Sequence, residues 1–175
     1  MIIQNKSFLF IRHRETDWNK NKIFQGQNDV PMNENGFNQV QKNAEENILK
    51  IQKVDHIFYS PLTRTVQTTD ILSSLIPNVG KICVKEIMPC NSITTSKFIL
   101  ATKGIRDFPS FERIVDNGET KSDFLKRVEK GLKKILSSEN SFPMVISHGE
   151  VHTAICLILG IKPYLTPNGS FTIFD

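Results

Sequence analysis

The chain has 175 residues, 39% hydrophobic and 23% charged, with a formal net charge of +4. That length suits one domain over 1–175 with a sizeable core, and the composition excludes disordered and fibrous classes while the positive balance suits an anionic small molecule. No apolar run approaches the roughly 18 residues of a membrane span, and Met1-Ile2-Ile3-Gln4-Asn5-Lys6 lacks the order of a signal peptide, so a cytoplasmic protein without a membrane partner is expected.

Apolar strand-like runs then alternate with helical patterns. A strand over 8–12, Phe8-Leu9-Phe10-Ile11-Arg12, runs into His13-Arg14. A helix over 34–52 precedes a strand over 55–60, and Ser60-Pro61 reads as an N-cap serine and first-turn proline for a helix over 61–75. After a strand over 82–85, the stretch 86–118 has weak periodicity and holds Pro89, Gly104, Pro109 and Gly118. It reads as an irregular excursion over the strand ends, with a short helix near 94–102, and such excursions carry specificity. Thr120-Lys121-Ser122-Asp123 resembles a capping box at the start of a helix over 121–137. A strand over 143–147, a helix over 149–159 ended by Gly160, and a strand over 170–174 complete the chain. The alternation predicts a three-layer α/β/α sandwich with a mainly parallel central sheet.

Cys83, Cys90 and Cys156 are odd in number and lack C-x-x-C spacing, which argues against a disulfide framework and a zinc site. Lys126, Arg127, Lys130, Lys133 and Lys134 read as a solvated helix face, and without interleaved aromatics nucleic acid is not an expected partner.

In parallel α/β sheets, sites form at the carboxyl ends of the strands. Three strand exits here deliver a cation or an imidazole: Arg12-His13, Ser60 leading to Arg64, and Ser147-His148-Gly149. Guanidinium groups beside an imidazole drive it toward its neutral, nucleophilic form, and guanidinium grips phosphate. Helix N-termini at the same edge add free N–H donors, so the combination predicts an anion pocket for phosphoryl chemistry. His56 reads as structural and His152 as a pocket-edge residue.

These residues lie in ordered motifs. Arg12-His13-Arg14-Glu15-Thr16-Asp17-Trp18-Asn19 is followed by Gln25-Gly26-Gln27-Asn28-Asp29-Val30-Pro31-Met32 with Gly36. Then come Ser60-Pro61-Leu62-Thr63-Arg64-Thr65-Val66-Gln67-Thr68, Gly118-Glu119-Thr120, Ser147-His148-Gly149 and Pro167-Asn168-Gly169-Ser170. In this order the chain resembles the histidine phosphatase superfamily, the phosphoglycerate mutase-like family. The resemblance implies that His13 is the nucleophile that becomes phosphohistidine. It implies that Arg12, Arg64 and His148 hold the phosphoryl group, with Asn19, Gln25, Gly26, Gly149 and Arg14 around it. It has Glu86 protonate the leaving oxygen and then activate water. Two guanidiniums and an imidazolium supply the charge stabilisation without a metal or cofactor.

The implied activity is a metal-independent phosphomonoesterase acting on a small phosphate ester. A cofactor-dependent phosphoglycerate mutase is the alternative, and the shortness of 86–118 favours hydrolysis because a mutase must cover a bisphosphate. Arg14 stands where the family has glycine. Either it points away from the pocket, or it fills it and leaves a catalytically impaired phosphate-binding module; restoring glycine would then raise the rate. Asn91 and its neighbours lack the glycine and tryptophan that follow the family's acid, and His152 replaces a common arginine.

Overall fold

The computed structural model describes residues 6–91, 119–164 and 166–175. The helix expected near 94–102, most of the expected excursion and Gly118 lie outside the described residues. β1 (Phe8–Arg12), β2 (His56–Tyr59), β3 (Gly80–Cys83), β4 (Met144–Ser147) and β5 (Phe171–Phe174) form one sheet in the order β3-β2-β4-β1-β5. β1 pairs with β4, β4 with β2 and β2 with β3 in parallel, while β5 is antiparallel to β1 at the edge.

Period-two alternation sends the side chains of β1 into two separate cores. Phe8 and Phe10 pack in one cluster with Phe58, Val145, Phe124 and Ile155; Leu9 and Ile11 pack in the other with Ile57, Ile146, Val40 and Leu72. The first face is covered by α5 (Lys121–Leu136) and α6 (Gly149–Ile158), the second by α2 (Glu34–Glu46) and α4 (Thr63–Ser74). The helices bury stripes at helical spacing: Gly36, Val40 and Ala44 on α2, and Phe124, Val128, Leu132 and Ile135 on α5. The central strands read as continuous apolar runs because helices cover both faces. The expected three-layer α/β arrangement with a mainly parallel sheet is the one the chain adopts. Among the described residues no helix is long and apolar enough to cross a membrane.

Several boundaries differ from the sequence expectation for local reasons. The single helix expected over 34–52 is broken at Asn47 (φ −118°, ψ 17°), which separates α2 from the short α3 (Ile48–Ile51). A turn of helix not anticipated, α1 (Asp17–Lys20), is held by a Thr16–Asn19 capping box. β3 lies two residues earlier than expected, and its end is followed by a 3-10 turn over Lys85–Ile87. α4 starts at Thr63 after Leu62, so Ser60 is not its cap. Asp29 caps it instead: Oδ1 accepts from the Thr63 N–H and Oδ2 from its hydroxyl, each at 2.7 Å. Thr120 does cap α5, accepting from the Asp123 N–H at 3.1 Å, and Gly160 ends α6 at φ +71°. The basic cluster on α5 divides. Lys126, Lys130 and Lys134 are exposed, but Arg127 folds inward onto Glu119 at 2.6 Å and donates to the carbonyls of Glu86, Met88 and Pro89.

The first turn of α2 meets the segment after β1 at Gly36, where an added Cβ would stand 2.3 Å from the Glu15 carbonyl oxygen. Backbone cannot yield there, so Gly36→Ala is expected to cost about 1–3 kcal/mol, read as a lower urea midpoint at unchanged slope. An unchanged midpoint would contradict this packing.

Candidate active site

Strand register builds the site. β1 and β4 pair with Arg12 opposite Ser147, and β2 pairs with β4 with Tyr59 opposite Ile146. The next residue on each strand therefore emerges at the same edge: His13, Ser60 and His148. His13 N–H donates to the Ser147 carbonyl at 3.0 Å and Ser60 N–H to the Ile146 carbonyl at 3.1 Å, fixing both exits. The imidazole centroids of His13 and His148 lie 5.2 Å apart. Both side chains are buried in a pocket also lined by Arg12, Arg64, Asn19, Gln25 and Gly26.

Hydrogen bonds decide how each group presents itself. His13 Nδ1 lies 2.8 Å from the Arg14 carbonyl, which can only accept. Nδ1 therefore carries the proton and Nε2 keeps its lone pair. Burial, then the charges of Arg64 and Arg12, hold the His13 pKa well below its ordinary value, so the ring is neutral near pH 7. His148 is held low by burial and then by His13 and the two arginines, and its Nε2 shares a hydrogen bond with Ser60 Oγ at 2.8 Å.

The guanidiniums are tied by backbone carbonyls. Arg64 donates to Asn28 O at 2.8 Å and Gly26 O at 2.9 Å, and Arg12 donates to Thr166 O. Carbonyls satisfy N–H donors without cancelling the charge. Burial lowers both arginines to a pKa of about 10, and they remain cations at neutral pH. Arg12 Nε and Arg64 Nε are buried donors without a partner among the described residues, suited to phosphoryl oxygens, and His148 Nδ1 is likewise unpartnered. Gly149 opens α6 against Arg12; a Cβ there would sit 3.1 Å from the guanidinium carbon. Asn19 Oδ1 accepts from Thr16 N–H at 3.2 Å, which leaves its amide NH2 for the pocket.

The expected site residues are therefore brought together except for two. Arg14 is not among the lining residues. Its guanidinium lies against Gly169 and donates to Asn168 O at 2.8 Å, and its φ is not positive, so no strain attends the missing glycine. Glu86 is also absent from the lining: it stands on the 3-10 turn with its Cβ against Gly131 of α5. His152 is not at the pocket edge either. It is fully buried among Phe10, Tyr164 and Phe174, with ring centroids 4.8–5.5 Å away, and burial lowers its pKa to about 4.

Sequence reasoning missed Glu150, Lys22, Ile23, Phe24 and Pro89, which complete the lining. Glu150 was within reach of a motif reading, because it follows Ser147-His148-Gly149 directly. Its Oε2 accepts from the Cys90 N–H at 3.0 Å. Burial pushes its pKa up to about 7 against the opposing pull of that N–H and of Arg64, Arg12 and Arg127.

Residues 8–174 match the model of the histidine phosphatase superfamily (branch 1). A probable phosphoglycerate mutase GpmB of Proteus mirabilis is 27% identical over 164 residues, covering 88% of this chain and 75% of that protein. An uncharacterized phosphatase PhoE of Bacillus subtilis is 28% identical over 159 residues, covering 89% and 78%. Among solved structures, a mycobacterial glucosyl-3-phosphoglycerate phosphatase superposes with TM-score 0.81 at 20% identity, covering 97% of this chain and 92% of that one. A phosphoglycerate mutase of Thermus thermophilus superposes with TM-score 0.74 at 20% identity, covering the same shares. The chain belongs to the histidine phosphatase superfamily.

Two outcomes follow from the side-chain placements. Glu150 is raised from an ordinary 4.5 to about 7, so the unfolded chain ionises it first. Its contribution to stability is present below pH 4.5 and is lost as pH rises through 7. Glu150→Gln should therefore gain stability relative to the parent across that window and hold the gain above it, read by denaturant melts at several pH values; a pH-independent difference would contradict the shift. Arg14→Gly should leave inorganic phosphate affinity unchanged by calorimetry and lower stability by about 1–3 kcal/mol, because it removes the Asn168 bond and adds backbone freedom. A gain in phosphate affinity or turnover would place Arg14 in the pocket after all.

Proposed function

We propose that this member of the histidine phosphatase superfamily is a metal-independent phosphomonoesterase that passes the phosphoryl group of a small phosphate ester to His13 and then to water. The observation that carries the reading is the His13 tautomer: with Nδ1 donating to the Arg14 carbonyl, the lone pair is on Nε2, in a pocket flanked by Arg12, Arg64 and His148. Nε2 attacks phosphorus, and the P–O bond to the leaving group breaks with its electron pair on oxygen. The two guanidiniums match the equatorial oxygens, where charge spreads as the bond breaks, and they do so already oriented by carbonyls. His148 and the free Asn19 amide add donors around the same group. Water then attacks the phosphohistidine and the P–N bond breaks back onto Nε2.

The placement of Arg14 on the Asn168–Gly169 turn supports an open pocket rather than an impaired one. The matched relatives carry both mutase and phosphatase names, so the test needs both arms. With an aryl phosphate, turnover is expected to survive a chelator and to vanish in His13→Ala, and acid-sensitive phosphate should be trapped on His13 of the parent. Phosphate release from 3-phosphoglycerate supplied with bisphosphoglycerate should exceed isomerisation. Chelator-sensitive turnover, or activity retained by His13→Ala, would overturn the phosphohistidine route; predominant isomerisation would make the protein a mutase.

A further inference from the structure

Phosphoryl transfer to His13 leaves an oxygen that needs a proton, and the attacking water must later lose one. Glu86, the acid implied by resemblance, has its Cβ packed against α5 and does not line the pocket. Among the described lining residues, one carboxyl group is present, that of Glu150. Resting on the phosphatase reading, we infer that Glu150 is the catalytic acid and base of this site: it protonates the leaving oxygen and then takes the proton of the attacking water.

The geometry supplies what such a group requires. Glu150 stands in the first turn of α6, two residues after His148, so the strand exit that places one imidazole also places the carboxyl. Its Oε2 is held by the Cys90 N–H at 3.0 Å, which fixes the group's orientation. Among the described residues, no direct ion pair ties it to a guanidinium, and it acts on Arg12 and Arg64 through charge alone. The groups that face it are cations and a neutral thiol: Arg12 from β1, Arg64 from α4, Arg127 from α5, and Cys90, with His13 and His148 sharing the pocket. A phosphoryl dianion seated on the two arginines brings like charge to the carboxyl and favours its protonated form before bond cleavage. Burial already holds that proton to near neutral pH.

The cycle balances. Nε2 bonds to phosphorus while the P–O bond breaks, and the electron pair on oxygen takes the Glu150 proton, giving the free alcohol and a Glu150 carboxylate. That carboxylate takes a proton from water as its oxygen bonds to phosphorus, the P–N pair returns to Nε2, and inorganic phosphate leaves with Glu150 protonated again.

The test compares the full-length parent with Glu150→Gln and Glu86→Gln on two probes, p-nitrophenyl phosphate and an alkyl phosphate such as glycerol phosphate. Glu150→Gln should lose about 10²–10⁴-fold in kcat/KM on the alkyl ester, whose leaving group depends on the proton, and far less on the aryl ester. On the aryl ester it should show a burst of p-nitrophenol and accumulate phosphohistidine, because water is no longer activated. The alkyl-to-aryl ratio should fall much further in Glu150→Gln than in Glu86→Gln. Circular dichroism checks folding, and Glu150→Asp, which keeps a carboxyl, should recover part of the ratio. An unchanged ratio in Glu150→Gln, or a larger fall in Glu86→Gln, overturns this assignment while leaving the phosphatase reading intact. A parent with no His13-dependent turnover of either probe overturns that reading, and this inference with it.

Discussion

Parallel pairing of β1 with β4, with Arg12 level with Ser147, governs what the rest of the molecule must accommodate. It sets two imidazoles 5.2 Å apart at one sheet edge, and Arg64 arrives beside them from α4. So many cationic groups in a buried place repel one another and lose hydration. The molecule resolves this without neutralising the site. The histidines give up their protons, and the guanidinium N–H groups are met by the carbonyls of Gly26, Asn28 and Thr166 rather than by carboxylates. Part of the hydrogen-bonding demand is met while Arg12 Nε and Arg64 Nε stay unpartnered among the described residues and positive charge persists.

The surrounding loops keep these groups in register with the sheet. Asp29 ends the Gln25–Asp29 run by capping α4, so one short segment both supplies carbonyls to Arg64 and anchors the helix that carries it. Ser147 Oγ donates to the Ile87 carbonyl at 2.7 Å, and Arg127 gathers the carbonyls of Glu86, Met88 and Pro89. The 3-10 turn is thereby drawn against β4 and α5. This brings the Cys90 N–H to Glu150, while the Cβ of Glu86 is committed to packing on Gly131.

Legibility varied with how local each cause is. The strands and the long helices were readable because period-two and helical spacing follow from burial on two sheet faces. His13, Arg12, Arg64 and His148 were readable because each sits at or just beyond a strand exit in a parallel fold, where sites collect. Ser60 looked like a cap and is instead the partner of His148, since Asp29 arrives from elsewhere to cap the helix. Arg127 looked solvated and is a clasp, because its acceptors lie about forty positions away in sequence. Arg14 and His152 depended on what packs against them: the Asn168–Gly169 turn for one, an aromatic cluster for the other.

The sequence by itself determined the layer architecture, the family and the candidate set of Arg12, His13, Arg64 and His148, because hydrophobic periodicity and short motifs are written contiguously along the chain. Tertiary structure alone decided the tautomer of His13, the removal of Arg14 from the pocket, and which carboxyl group reaches it. Those outcomes rest on hydrogen bonds and packing between distant segments. The direction in which a side chain leaves the backbone, and the charge it keeps there, follow from neighbours that no local pattern names.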